Sequence, residues 1–212
     1  MRDTSPFLLA SALVLALGAG LASSVTACGG SGGTGGAGGE IGSGGSTSSS
    51  GTGGTTPTAA CFDYTSFDAT TPAVHFQADV LPILRLSCGL SQSCHGNENG
   101  PGGQHYYGPK NSDPAPTAAQ IQAIFDQSVD KPSVANPTMK VIAPGDPANS
   151  FMLYKLDGDP SAKDKDAQVS CDKLACAADK TCLDAMPQGG PQLPADKRDT
   201  LRRWIAQGAK ND

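Results

Sequence analysis

"RLSCGLSQSCHGNENG", Arg85 to Gly100, is the stretch on which the reading of this chain turns. Cys94 is followed directly by His95, which places a thiol and an imidazole on adjacent residues. A second thiol, Cys88, lies ahead of Cys94 with five residues between them. Gly89, Ser91 and Ser93 make the intervening segment a pliable loop that can bulge between two anchored sulfurs. Ordering a longer loop costs little more than ordering a short one, because closure entropy grows only slowly with length.

On either side of this stretch the apolar residues recur with a helical period. "FQADVLPILRLSC" places Phe76, Val80, Ile83, Leu84 and Ser87 on one stripe, with Pro82 expected in the first turn of the helix. "PTAAQIQAIFDQSVD" offers Thr117 as N-cap and Gln120 three residues on, a capping-box pattern, with Ile121, Ile124 and Phe125 on the apolar face. "PGDPANSFMLYKLDG" predicts a helix capped by Asp146, opened by Pro147 and stopped at Gly158. "PADKRDTLRRWIAQGA" sets Leu201, Trp204 and Ile205 on one face, with acids early and Gly208 at the end. Alternating apolar runs long enough for a sheet are missing. The expected fold class is all-α with long loops. The loop from Gly96 to Pro116 is of the length that is usually functional or wraps something.

The N-terminal part reads as export and tethering. Arg2 precedes an apolar run, Phe7 to Leu21, too short for a stable membrane span and suited to a signal-peptide core. Val25-Thr26-Ala27-Cys28 resembles the lipobox of bacterial lipoproteins, which implies cleavage over residues 1–27 and lipidation of Cys28. The alternative is a soluble secreted protein cleaved at an A-x-A-like site. Two or more acyl chains on Cys28 would hold the protein to a lipid membrane, at about 0.8 kcal/mol per buried methylene. Residues 28–59 are rich in Gly, Ser and Thr, bury almost nothing, and read as a flexible linker with an r.m.s. span of roughly 30 Å. Residues 60–212 are one domain's worth of chain. The net charge of -5 and the want of a Lys/Arg cluster argue against a nucleic-acid partner. Aromatic residues are 5% of the chain, thin for a core of this size, and a large apolar cofactor would fill that deficit.

Seven cysteines are present, and beyond Cys28 they are Cys61, Cys88, Cys94, Cys171, Cys176 and Cys182. In an exported protein the default is pairing. A cysteine followed by histidine is half of the C-x-x-C-H signature of covalent haem attachment. If Cys88 and Cys94 both bond to haem vinyl groups, four cysteines remain for two disulfides, with three possible connectivities. If neither does, three disulfides use all six. If one did, a thiol would be stranded, so the count favours both or neither. His95 would set an imidazole under the iron. Met186, in the Gly-rich loop "DAMPQGGPQL", would supply a thioether from the opposite face. His75 and His105 are alternatives for a second imidazole, and Met152, beside Leu153 on a helix, reads as core.

Five segments taken in order resemble the planctomycete-type, single-haem c-type cytochrome domain of bacterial secreted proteins. They are "FQADVLPIL" (Phe76 to Leu84), "CHG" (Cys94 to Gly96), "VIAPGDPANS" (Val141 to Ser150), "MPQGG" (Met186 to Gly190) and "WIAQGA" (Trp204 to Ala209). The chain departs from the family where Ser91 stands in the usual place of the first cysteine. It departs again in residues 157–184, which read as a Cys-containing insertion folded over the Met186 loop. The Asp-rich start of that insertion, Asp157 to Asp166, reads as a solvated loop rather than a calcium site.

The resemblance implies a cytochrome c-like helical fold whose C-terminal helix packs across the first. It also implies one covalent haem c on Cys88 and Cys94, with His95 and Met186 as axial ligands of the iron. Both axial positions filled means single-electron transfer rather than catalysis, so the chain is not expected to be an enzyme. Its expected partner is a redox protein of the cell envelope. Its expected location is lipid-anchored, at the outer membrane, facing the periplasm or the cell surface. The rival expectation is a haem-free, disulfide-stabilised envelope lipoprotein serving as a binding or structural module.

Overall fold

The computed structural model describes residues 61–100, 104–159 and 184–212. The expected signal peptide, Cys28, the expected linker, and the bulk of the expected insertion with Cys171, Cys176 and Cys182 lie outside the described residues.

The first helical run begins at Phe76, ahead of the proline. A single π-helical turn, Phe76–Val80, leads directly into α1, Leu81–Ser87, with the Leu81 N–H donating to the Phe76 carbonyl. A proline inside a helix removes one hydrogen bond and crowds the carbonyl four residues back. The wider π turn takes up that conflict and lets the chain stay helical before and through Pro82. The expected helical stripe from Phe76 to Ser87 thus forms, with Pro82 in the first turn of α1, and what the sequence did not predict is the π form of the turn before it. Asp79 steadies this start by accepting from the His75 N–H at 2.8 Å.

The second helix, α2, spans Ala118–Ser128 and carries the expected capping box. Thr117 Oγ1 accepts from the Gln120 N–H at 3.3 Å, and Gln120 Oε1 accepts from the Thr117 N–H at 2.9 Å. Ile124 is fully buried, with Ile121 and Phe125 packed against the core beside it.

The helix expected from Pro147 is divided. A 3-10 turn, Pro147–Asn149, is followed by α3, Phe151–Asp157. Ser150 causes the break: it is extended, its hydroxyl accepts from the Ala143 N–H at 2.8 Å, and it forms a single β-bridge with Lys140. Asp146 makes no side-chain cap to the backbone and instead accepts from Asn149 Nδ2 at 2.6 Å.

The last helix, α4, spans Ala195–Ala206 and stops ahead of Gly208, whose φ of 101° suits a residue without Cβ. It packs across the first helical run as the resemblance implied. The Trp204 ring lies 5.5 Å from that of Phe76, and Phe125 of α2 closes the trio at 4.8 Å from Phe76. The chain end ties the same corner, with Asp212 accepting from the Phe76 N–H through its carboxylate and from the Gln77 N–H through its carbonyl.

Among the described residues there are helices, isolated β-bridges and loops, and no strand. The long loop after Gly96 packs on the protein rather than standing off it. Arg85 of α1 donates to the carbonyls of Pro109, Lys110, Asp113 and Pro114, and Tyr106 and Tyr107 are buried. Asp157 also differs from expectation, since its carboxylate is held by arginines and only partly exposed. It accepts from Arg198 Nη1 at 2.7 Å and from Arg202 Nη2, and the buried Arg202 guanidinium also lies 3.7 Å from the Phe62 ring.

Candidate functional site

The end of α1 sets the first wall of a cavity with Leu84, Ser87 and Cys88. The chain then turns tightly and returns. The Cys94 and Gly96 N–H groups both donate to the Ser91 carbonyl, and the His95 N–H donates to the Cys88 carbonyl at 3.1 Å. The loop expected to bulge is thus a closed turn. A Cβ on Gly96 would stand 2.8 Å from the Ser91 carbonyl oxygen, so the turn admits only glycine there without moving. Ser91, at the usual place of a cysteine, donates its hydroxyl to Cys94 Sγ at 3.1 Å.

Across the cavity, α3 contributes Phe151, Met152, Lys155 and Leu156, and the loop before α4 contributes Met186, Pro187 and Gln188. Backbone contact joins these two pieces, the Met186 N–H donating to the Lys155 carbonyl at 2.8 Å. His105, Tyr107 and residues Ser133 to Ala135 complete the lining. The space between the walls is about 1170 Å³, open solvent at the mouth included. Cys88, Cys94 and His95 of one turn, and Met186, distant from them in sequence, all line this one cavity.

His95 is held in a defined tautomer. Its Nδ1 lies 2.6 Å from the His105 carbonyl, which can only accept, so Nδ1 carries the proton and Nε2 keeps the lone pair. Burial lowers its pKa, with the contact to the His105 carbonyl opposing, so the neutral ring prevails at neutral pH. The Tyr107 ring lies 4.7 Å from the imidazole, and the Tyr107 N–H donates to the His95 carbonyl at 2.9 Å. His105 is fixed in the same way, with Nδ1 2.7 Å from the Gln127 carbonyl.

The two sulfurs of the motif differ. Cys88 is a free thiol, and burial pushes its pKa up to about 12. Cys94 is disulfide-bonded, as is Cys61. Lys155, on the apolar wall, is pulled down to about 8 by burial, with Asp184 acting against that shift.

His75 is not part of the site: it is exposed and pairs with Asp212 at 3.1 Å. Met152 is both core and cavity wall, and Met139 lies elsewhere, beside Cys61 and Tyr64. Tyr107 and Lys155 escaped the sequence reading. The "YYG" inside a polar loop was the one available sign of Tyr107, since paired aromatics there need something to pack on.

Tested against the haem that the sequence implies, most of this chemistry fits. The walls are mostly apolar, an imidazole carries a lone pair, and a methionine and a free cysteine line the same space. Cys94 is the exception, because a sulfur in a disulfide has no valence left for a thioether. Among the described residues no three His, Cys, Asp or Glu side chains gather as a metal cluster, and no helix is long and apolar enough to cross a membrane. Compared with protein-family models, curated proteins and solved structures, the chain finds no match.

Proposed function

We propose that this chain is a lipid-anchored, single-haem c-type cytochrome-like protein of the cell envelope that passes single electrons to and from a redox partner. The observation that carries the reading is the meeting of Cys88, Cys94, His95 and Met186 on one apolar cavity. Haem bound there would supply a one-electron iron couple. His95 offers Nε2 to the iron, and the His105 carbonyl orients the ring and keeps the proton on Nδ1. Met186, on a loop pinned to Lys155, would hold the iron through its thioether. Leu84, Val141, Phe151 and Leu156 exclude water from the ring. The cysteine motif provides covalent attachment, and Cys28 with the linker provides a tether from which the domain reaches its partner.

The disulfide at Cys94 favours a second reading, a haem-free envelope lipoprotein in which the cavity binds a small apolar ligand. One experiment separates the two. The chain from Cys28 onward is expressed in a periplasm with an active haem-attachment system, and its denatured intact mass and reduced absorption spectrum are recorded. A gain of one haem with sharp reduced bands supports the cytochrome. A colourless protein without added mass sinks it in favour of the second reading.

A further inference from the structure

The two cysteines of the motif have different fates, and any assignment of the haem anchor rests on the cytochrome reading. Cys94 is buried and disulfide-bonded. Cys88 is a free thiol on the wall of the apolar cavity, with its carbonyl holding the His95 N–H at 3.1 Å. Tyr107 packs against the His95 ring on the same side of the cavity. An anchor sulfur must share the cavity with the proximal imidazole and be chemically free, and Cys88 meets both conditions. We propose, against the both-or-neither reading of the cysteine count, that the haem is held by a single thioether, through Cys88, while Cys94 keeps its disulfide and serves to lock the turn that presents His95.

The step balances without an oxidant. The Cys88 S–H bond breaks, its sulfur bonds to the inner carbon of one haem vinyl group, and the proton goes to the terminal carbon as the double bond is consumed. The second vinyl group stays unsaturated. Ser91 and the closed turn account for the wide spacing: the residues between Cys88 and Cys94 form a structural loop around a disulfide, not a span between two anchored sulfurs.

Holoprotein is denatured, reduced and alkylated, then digested, and the haem-bearing peptide covering residues 86–110 is weighed and fragmented. The expected result is one haem on Cys88 and one alkyl group on Cys94, with a pyridine haemochrome band at the longer wavelength of a haem that keeps one vinyl group. Cys88→Ser should lose covalent haem altogether. Because Cys94→Ser risks unfolding once its disulfide is gone, the wild-type peptide carries the decision. Haem on both sulfurs with no alkyl group, or on Cys94 alone, overturns the single-thioether assignment and leaves the cytochrome reading standing. No haem on wild-type protein overturns both.

Discussion

His95 donates its Nδ1 proton to the backbone carbonyl of His105 across 2.6 Å, and a carbonyl can only accept. The bond therefore selects the tautomer that leaves Nε2 as a ligand atom. It also ties the Cys88–His95 turn to the long loop after Gly96, which Arg85 pins from the other end. One hydrogen bond thus couples the orientation of the candidate ligand to the packing of a loop that has no secondary structure of its own.

If that imidazole holds iron, His95→Gly should keep the covalent haem mass and lose the sharp reduced bands. Added imidazole should restore them, because the cavity then contains a ring-sized gap at the ligand position. A spectrum unchanged by the substitution would remove His95 from the iron.

In haem-free protein, Cys88 should be nearly inert toward alkylation while folded. Burial raises its pKa to about 12, which suppresses the reactive thiolate about 10³-fold relative to an ordinary thiol. Labelling of the Cys88 peptide with iodoacetamide near pH 8 should therefore be slow until denaturant is added, and then fast. Rapid labelling of the native chain would mean that Cys88 is not enclosed by the cavity.

Legibility in the sequence tracks the range of the interactions. The capping box of Thr117 and Gln120 is local, and it forms as its residue types require. Trp204 against Phe76 was implied by the resemblance, whereas the two amphipathic stripes said only that each needed a partner. The π turn before Pro82 was not legible, because a proline marks a conflict in the helix without saying which neighbour yields. Asp157 looked solvated in an Asp-rich run, and its true partners, Arg198 and Arg202, are set by the meeting of α3 and α4. The cysteine count treated Cys88 and Cys94 as equivalent, and only their separate surroundings tell them apart.

Asp157 should be among the costliest single positions in the domain. Its carboxylate receives two guanidinium groups, and the Arg202 side chain is 2% exposed. Asp157→Ala leaves that charge buried with Asp199 as its remaining acidic partner in the network. The loss should be about 3 kcal/mol, within the range for breaking a buried pair from one side. Arg198→Ala should cost less, since Arg198 is more exposed than Arg202. Denaturant titration of the two variants checks the order, and equal costs would deny Arg202 its central place.

Alkali should unfold the domain through its tyrosines. Burial raises Tyr64 and Tyr106 each to about 12, against about 10 for a tyrosine in an unfolded chain. A pKa raised in the folded state means that the fold binds the proton more tightly, so this contribution is whole below about pH 10 and is lost as pH climbs toward 12. Stability should fall across that window, with tyrosinate absorbance rising in step with the loss of helical circular dichroism. Replacing Tyr106 by Phe should weaken the dependence. It also removes a hydroxyl that is buried without a hydrogen-bond partner among the described residues.

Met186 decides between electron transfer and an open haem site. Met186 and His95 line the same cavity, and the Met186 backbone is fixed to Lys155, so on the proposed reading Met186 would be the second ligand of the iron. With both places filled, reduced wild-type protein should bind carbon monoxide slowly or not at all. Met186→Ala should bind it readily, shift to a high-spin spectrum, and keep its haem mass. Met186→His should stay low-spin with a lower midpoint potential, since imidazole stabilises the ferric state more than a thioether does. Ready carbon monoxide binding by the wild type would move the protein toward a gas-binding or peroxidase-like reading. His105 would then be the next candidate to test, because its imidazole lines the same cavity with Nε2 unprotonated.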